Sequence, residues 1–158
     1  CRFSSQDEEL PSAIANFLGA EYKKSSTKNY NYTFGSKGKN IWVEEILKDY
    51  PELWQAKSED KFIPEDYLLG SSEQRLDLLA GLLDTDGSIE KGKSVITFTT
   101  ISPKLRDNVI ELCHSLGMIT SWGVDKREEK YTTGECYYIH IVCKHALTQR
   151  IFKMSRNN

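Results

Sequence analysis

The chain has no long apolar run, no secretory signal and no closely paired cysteines. No hydrophobic stretch approaches the roughly 20 residues that a membrane helix needs. The opening residues, Cys1 to Ser5, lead at once into an acidic stretch, which excludes a secretory signal at this point. The 4 cysteines include no CxxC pair, and an intracellular protein does not need the two disulfides that they could form. We therefore expect an intracellular protein, cytoplasmic (nucleoid-associated) or nuclear.

Zinc ligands with a familiar spacing are also absent. Cys113 adjoins His114, and His140, Cys143 and His145 are close together in the sequence. Their spacing fits no familiar zinc pattern, so a zinc site remains only a minor alternative.

An excess of positive charge is missing, which counts against nucleic-acid binding, because basic domains are the default there. The net charge is -2, in a chain of 158 residues that is 39% hydrophobic and 28% charged, an ordinary composition for one domain with a sizeable core. The charges are unevenly distributed, however. Residues 20–40 are rich in lysine and residues 41–60 are rich in acids. This pattern predicts a basic hairpin and an acidic helix, with a merely solvated surface as the alternative.

The most informative stretch is Leu79-Ala80-Gly81-Leu82-Leu83-Asp84-Thr85-Asp86-Gly87. Gly81 costs a helix roughly 1 kcal/mol relative to alanine, and close helix packing is the usual reason for such a glycine. Asp84 and Asp86 oppose the helix dipole at a cost of up to about 1 kcal/mol, which a divalent cation would offset. An EF-hand is excluded because Gly87 comes two residues too early. These features are equally consistent with a core helix that ends in a turn and with a metal site.

Residues 79–87 resemble the signature of the LAGLIDADG homing endonucleases and differ from it only at Leu83 and Thr85. Residues 61–68, which read Lys-Phe-Ile-Pro-Glu-Asp-Tyr-Leu, and residues 72–76 are similar to the linker that enters the second motif of endonucleases carried by inteins. The resemblance implies an α+β fold made of two αββαββα repeats, whose antiparallel sheets bind DNA.

The second half of the chain fits one such repeat. A capping box at Ser71 and Gln74 starts a helix that ends near Asp86. We predict a short strand, a turn at 91–93, a strand over 95–100 and a helix from Pro103 to 116. A hairpin follows over 119–127 and 136–142 with its turn at 132–134, and then a helix over 145–154.

The first half repeats this order from its middle onward. We predict a strand over 2–4, a helix over 7–18, strands over 21–25 and 30–34, and a helix over 41–50. The predicted domains are therefore a partial first repeat over 1–56, a linker over 57–72 and the second repeat over 73–158. The opening helix and first strand of the first repeat are expected to be absent, and with them one motif. The chain is thus expected to be truncated, and alone to be a poor nuclease.

The resemblance implies the catalytic residues. Asp86 would be the catalytic metal ligand, Thr85 would offer its backbone carbonyl, and Asp84 would cap or brace the helix end. Two such helices pack together, so that two acids share divalent ions, normally Mg²⁺. The packing residues of this helix would be Leu79, Ala80, Gly81 and Leu83.

Lys61 is the second catalytic candidate, because it matches the lysine found before an Ile-Pro pair in intein-borne members. A lysine there can polarise the attacking water or stabilise charge at the phosphorus. An ordinary linker lysine is the alternative.

Strand alternation predicts which side chains would meet DNA in the major groove. Ile96, Phe98, Tyr137, Ile139 and Ile141 should point inward. The outward candidates for DNA binding are Lys23, Ser25, Asn31, Thr33, Val95, Thr97, Thr99, Asp125, Arg127, Tyr138 and His140. Any of them could instead be an ordinary solvent-facing residue.

The predicted function is site-specific cleavage of double-stranded DNA with a long target site, by the endonuclease domain of an intein or a fragment of one. The second motif would come from a missing segment or from another chain. The alternative is a protein of the same fold that binds without cleaving, as a DNA-binding regulator or an RNA maturase. Splicing chemistry is not predicted, because the final Asn157-Asn158 lacks the required His-Asn pair.

Overall fold

The computed structural model describes residues 2–4, 9–27, 30–35, 48–54, 56–89, 95–129 and 132–142. The predicted α+β class with antiparallel sheets is confirmed, and the chain divides into two compact units, Cys1–Gln55 and Ala56–Asn158. Among the described residues, no helix is both long enough and apolar enough to cross a membrane. The elements are β1 (Arg2–Ser4), α1 (Glu9–Leu18), β2 (Tyr22–Lys24), β3 (Asn31–Phe34), α2 (Pro51–Trp54), a 3-10 helix (Ser58–Asp60), α3 (Glu65–Leu68), α4 (Ser72–Asp86), β4 (Gly87–Ile89), β5 (Val95–Thr100), α5 (Pro103–Ser115), β6 (Ile119–Glu129) and β7 (Thr132–Val142).

The first unit contains a three-stranded antiparallel sheet in the order β1-β3-β2. Its buried cluster is Ala15 from α1 with Tyr32 and Phe34 from β3, and Ile14 packs against it. Tyr32 and Phe34 alternate with the exposed Thr33, which is the period of a strand with one covered face. The helix predicted over 41–50 falls largely outside the described residues.

The second unit contains a four-stranded antiparallel sheet in the order β4-β5-β7-β6. The predicted inward residues of β5 and β7 join buried residues of α4 and α5 in one core cluster. Ile96, Phe98, Ile139 and Ile141 are completely buried, and Tyr137 is 9% exposed. The predicted alternation of these two strands is therefore confirmed.

Both long helices of the second unit begin where the sequence predicts. The Ser71 hydroxyl accepts the Gln74 N–H at 3.2 Å, and the Gln74 side chain accepts the Ser71 N–H at 2.9 Å. These two bonds form the predicted capping box of α4. Helix α5 starts after Ser102, whose hydroxyl accepts the Leu105 N–H, with Pro103 as its first residue.

The two units share a strand order and a register. The order β1-β3-β2 in the first unit corresponds to β5-β7-β6 in the second. Phe3 pairs with Tyr32, and Phe98 pairs with Ile139. These are equivalent pairs when Phe3 is aligned with Phe98 and Tyr32 with Ile139.

The ends of α1 and α5 are also alike. Each helix is followed by a glycine with positive φ, Gly19 at 58° and Gly117 at 74°. This left-handed conformation is one that glycine adopts without a side-chain penalty. In both cases the residue after the glycine donates its N–H to a carbonyl five residues back. These bonds are Ala20 to Ala15 at 2.9 Å and Met118 to Cys113 at 3.0 Å.

The predicted turn at Thr132-Thr133-Gly134 is wrong. These residues lie within β7 and pair with β6, Arg127 opposite Gly134 and Glu129 opposite Thr132. Threonine is favoured in strands, and the backbone of Gly134 forms part of the ladder between β6 and β7. The glycine was therefore misread as a turn signal. The turn predicted at 91–93 and the helix predicted over 145–154 lie outside the described residues.

The segment predicted as a linker, 57–72, is folded onto the second unit. It contains the 3-10 helix and α3, and Ile63 between them is only 6% exposed within the core cluster of that unit. Residues 57–72 are therefore part of the second unit.

Candidate active site

Gly87, the residue directly after α4, lies too close to the last turn of that helix for any side chain. The Gly87 N–H bonds to the Leu83 carbonyl, and its φ of −88° is ordinary for any residue. A Cβ at this position would meet the Leu83 carbonyl oxygen and would lie 2.9 Å from the Leu83 Cα. Space therefore requires a glycine directly after Asp86, the last residue of α4.

The two motif acids lie in different environments. Asp84 is buried, with 8% of its surface exposed, whereas Asp86 is exposed. Between them, the Thr85 hydroxyl turns back along the helix and donates to the carbonyls of Gly81 and Leu82 at 3.2 and 2.9 Å. Asp86 is therefore the motif acid that a ligand in solvent can reach.

An open cavity of about 290 Å³ lies beside the end of α4. Both predicted catalytic side chains belong to its wall, Asp86 from α4 and Lys61 from the residue after the 3-10 helix. Strand β5 and the residue after it supply much of the remainder. The other lining residues are Ser58, Phe98, Thr99, Thr100, Ile101, Leu105 and Cys136. The cavity therefore brings together a carboxylate, an ammonium group and two hydroxyl-bearing strand residues.

The four predicted packing residues of α4 divide between two sides of the helix. Leu79 and Leu83 are completely buried in the core cluster of their own unit. Ala80 is 3% exposed. Gly81 is exposed, and no described atom beyond its immediate helix neighbours lies within 4 Å of the position of an added Cβ. Among the described residues, the side of α4 that carries Gly81 is therefore uncovered.

The outward face of the second sheet carries a small hydrogen-bonded cluster. Thr97 pairs with His140 across β5 and β7, and the Thr97 hydroxyl lies 3.0 Å from the His140 Nδ1 atom. The Tyr138 and His140 rings are 5.1 Å apart. Of the predicted outward residues here, Thr99 is exposed, whereas Val95, Thr97, Tyr138 and His140 are half-buried. All five lie on the face opposite the core.

The predicted outward residues of β6 lie at positions that extend the same face. Asp125 is exposed and pairs with Cys136, and Arg127 pairs with Gly134. The placement of the Arg127 side chain lies outside what the structure describes.

In the first unit, Lys23 and Thr33 are exposed and pair across β2 and β3. Asn31 is half-buried on the same face of β3, two residues before Thr33. Ser25, also half-buried, donates its N–H to the Asn31 carbonyl at 2.7 Å.

The candidate zinc ligands do not come together among the described residues. No group of three or more His, Cys, Asp or Glu side chains in that part of the chain could hold a metal ion. Cys113 is buried in the core, and the His114 Nε2 atom lies 2.8 Å from the Thr120 hydroxyl. Cys143 and His145 lie outside the described residues. An ion at the cavity would therefore take few ligands from this unit.

A cation stack that the sequence did not predict lies on the covered side of the sheet edge. The Arg106 guanidinium lies 4.3 Å from the centre of the Trp122 ring and 4.6 Å from that of Tyr137. Arg106 also pairs with Asp107 at 2.7 Å. The Tyr137 hydroxyl donates to Glu135 at 3.0 Å, and this bond raises the pKa of the phenol, with burial and the Glu135 charge acting in the same direction. No sequence signal joins Arg106 to Trp122 and Tyr137, which lie far from it in the chain.

Comparisons with known proteins agree with the sequence resemblance. The model of the family described as homing endonuclease matches residues 63–156, more than half of the chain. A relative, the replicative DNA helicase DnaB of Mycobacterium intracellulare, is 50% identical over 58 residues, which are 37% of this chain and only 10% of that protein. The family match includes the end of α4, the strands of the second sheet and most of the cavity wall. The chain therefore belongs to the homing endonuclease family.

Proposed function

We propose that this chain is a LAGLIDADG-type endonuclease domain of an intein and that it hydrolyses phosphodiester bonds in double-stranded DNA. The observation that carries the proposal is the cavity that Lys61 and Asp86 share at the end of α4. A general acid-base or metal-assisted hydrolysis needs a carboxylate and a cation beside one reacting phosphate.

The helicase relative supports the intein part of the proposal. A helicase is not a homing enzyme, yet a short part of its chain is half identical to this one, within 10% of its length. A nuclease inserted in a helicase gene as part of an intein explains such a match. An insert interrupts its own insertion site, so the expected target is the uninterrupted helicase coding sequence.

The donors beside the cavity suit a hard divalent cation such as Mg²⁺. The exposed Asp86 carboxylate would bind it, and the Thr85 backbone carbonyl is the second oxygen donor proposed. Magnesium commonly takes one or two carboxylates and keeps several waters. The open cavity of about 290 Å³ has room for such an ion. Bound there, the ion would supply Lewis-acid activation of a water and neutralise phosphate charge.

The chain's own side chains would do the rest. Lys61 is exposed and lines the cavity, so its ammonium group can approach a phosphate oxygen without losing a buried partner. There it would stabilise the negative charge that grows during hydrolysis. The buried Asp84 would cap or brace the end of α4, and the exposed Asp86 would face the ligand.

DNA would lie across the outward face of the second sheet, which continues from the cavity wall through Thr99. Thr97, Tyr138 and His140 offer hydroxyl and ring-nitrogen groups to base edges, and a twisted antiparallel ribbon fits the major groove. Within the first unit, Lys23 and Thr33 pair on its own sheet and are that unit's candidates for backbone or base contacts.

Two αββαββα repeats are the architecture that we propose for the whole enzyme. The common strand order, the equivalent register and the like helix ends of the two units support it. Within the described residues the cavity holds a single carboxylate, Asp86. A second motif helix, from another copy or another segment, would supply the second acid, and the exposed side of α4 at Gly81 is where it would pack.

One observation favours the alternative, a non-cleaving DNA-binding regulator or an RNA maturase. It is the same scarcity of carboxylates in the cavity. The two functions share the binding face and differ only in whether Asp86 performs chemistry.

The test is cleavage of a plasmid that carries the uninterrupted helicase sequence, in parallel with duplexes selected from a randomised library by binding to the chain. The proposal expects Mg²⁺-dependent double-strand cuts at one site. Tight, site-specific DNA binding with no cut at any protein concentration would support the regulator, and preferential binding of RNA would support the maturase.

A further inference from the structure

Three consecutive residues, Lys61, Phe62 and Ile63, are each held by a different side chain from the start of α5. The Ser102 hydroxyl is completely buried and donates to the Lys61 carbonyl at 2.6 Å. The same hydroxyl accepts the Leu105 N–H at 3.1 Å. One group therefore caps the helix and fixes the backbone of Lys61.

The next two residues are anchored by the second and sixth residues of the same helix. The Lys104 ammonium lies 4.1 Å from the centre of the Phe62 ring, a distance at which a cation is attracted to the ring face. The Ile63 N–H donates to the Asn108 Oδ1 atom at 3.0 Å, and the Ile63 side chain is buried in the core. The segment is thus fixed by two hydrogen bonds, a cation–ring contact and a buried side chain.

Strand β5 holds the start of α5 in turn. The Ser102 N–H donates to the Thr100 hydroxyl at 3.1 Å, and Thr100 lines the cavity with Lys61. The backbone that carries Lys61 is therefore tied to the same strand end that forms the cavity wall. The side chain of Lys61 itself remains exposed.

We propose that Ser102 and Asn108 are positioning residues that hold Lys61 at the cavity for phosphodiester cleavage. The inference rests on the proposed function, because it gives Lys61 a role in the chemistry. A lysine on an untethered segment would sample many positions, whereas reaction rates fall by about a hundredfold for a displacement near 1 Å. The two hydrogen bonds restrict the backbone, so that only the exposed side chain needs to be ordered.

The cleanest test removes the Asn108 anchor, because it leaves the helix cap intact. Asn108→Ala removes the acceptor for the Ile63 N–H, Asn108→Asp retains an acceptor oxygen, and Glu111→Ala is a matched alanine change at an exposed position of the same helix. Each is made in the wild-type chain and in Lys61→Ala. Single-turnover cleavage of the selected duplex is measured with protein in excess, together with the dissociation constant and the melting temperature.

The expected result is a loss of rate that depends on Lys61. Asn108→Ala should slow cleavage by about ten- to a hundredfold with the dissociation constant within about twofold. Asn108→Asp should restore most of the rate. In the Lys61→Ala background, Asn108→Ala should cause no further loss of cleavage rate. An equal loss in both backgrounds, or a loss of affinity in place of rate, would overturn the proposal.

A second measurement separates this inference from the proposed function. Amide exchange at Ile63 should be slow in the wild type and in Asn108→Asp and fast in Asn108→Ala. If the wild-type chain binds the duplex but never cuts it, at any protein concentration or with an added second-motif segment, the proposed function fails and Lys61 has no reaction to be positioned for. If the wild type cuts and Ile63 exchanges equally fast in all variants, the anchor is absent and the positioning role alone fails.

Two substitutions at Ser102 provide an independent test. Ser102→Thr keeps a hydroxyl that can donate to the Lys61 carbonyl and accept the Leu105 N–H, whereas Ser102→Ala loses both bonds. Under conditions where both variants remain folded, Ser102→Ala should slow cleavage at unchanged affinity and Ser102→Thr should not. Cleavage at the wild-type rate by folded Ser102→Ala would contradict the positioning role of this residue.

Discussion

Lys61 and Asp86 reach the same cavity from two different parts of the second unit, the segment after the 3-10 helix and the last residue of α4. A structural requirement fixes each position. Only glycine fits directly after Asp86, because a side chain there would collide with Leu83, and Ser102 holds the backbone of Lys61. The arrangement gives a carboxylate and an ammonium group a common ligand space.

Lys61→Ala is expected to lower the cleavage rate and leave the salt dependence of DNA binding unchanged. A lysine that only neutralises a phosphate contributes about one unit to the slope of log K against log salt. Binding titrations at several salt concentrations, beside single-turnover cleavage, distinguish the two roles. A variant that loses this unit of slope and then cuts normally once bound would make Lys61 a docking residue.

Gly81 within α4 and Gly87 directly after it are expected to respond in opposite directions to the same substitution. Gly81→Ala should stabilise the fold by about 1 kcal/mol, because nothing described crowds the site and alanine favours the helix. Gly87→Ala should destabilise it by about 1–3 kcal/mol, because the new Cβ would lie 2.9 Å from the Leu83 Cα. Urea denaturation of both variants measures this. Equal effects would mean that the end of α4 has room for a side chain.

A large side chain at Gly81 is expected to leave the helix itself stable but to prevent α4 from packing on a second helix. Gly81→Leu should retain the melting temperature or raise it, whereas association through that side should be lost. Sedimentation over a range of concentrations is the measurement. Unchanged association with a higher melting temperature would show that this side of the helix does not pack on another helix.

Stability at alkaline pH is expected to depend on Tyr137. The hydrogen bond to Glu135, together with burial and the Glu135 charge, raises the pKa of the Tyr137 phenol above 10.0. The folded chain thus holds this proton more tightly than the unfolded chain, so the stabilisation is present below pH of about 10 and is lost as pH rises through the folded pKa. Denaturation between about pH 8 and pH 11 should show a steeper loss in the wild type than in Tyr137→Phe or Glu135→Gln. Parallel curves would contradict the assignment.

Local sequence signals predicted most of the second unit. The capping box at Ser71 and the Ser102-Pro103 start of α5 are short-range patterns with a direct physical cause, and both helices begin there. Alternation identified the buried residues of β5 and β7 because one face of the sheet is covered. The hairpin turn was misplaced because Gly134 is a strand residue in this structure.

Only part of the candidate site could be predicted from the sequence. Asp86 and Lys61 were predicted through family resemblance, since neither periodicity nor spacing puts them in one cavity. The bonds from Ser102 to Lys61 and from Ile63 to Asn108 join residues far apart in the chain. Such contacts follow from how α5 packs, and a single sequence carries no record of that packing.

A single chain is expected to be a poor nuclease, because its cavity contains one carboxylate from one motif helix among the described residues. Cleavage should therefore rise with protein concentration if two copies combine their acids, or on addition of a segment that carries a second motif. Efficient double-strand cleavage by a demonstrable monomer would show that the second acid lies within this chain.

Cleavage by Asp86→Asn tests the central claim most directly. The wild type, Asp86→Asn and the control Asp77→Asn, an exposed acid of the same helix, are incubated with Mg²⁺ and the selected duplex over concentrations that span self-association. The expected result is no cleavage by Asp86→Asn, binding within about tenfold of the wild type, or about 1.4 kcal/mol, and wild-type behaviour of Asp77→Asn. Cleavage by Asp86→Asn at the wild-type rate would contradict the account, because the carboxylate at the end of α4 would then have no part in the chemistry.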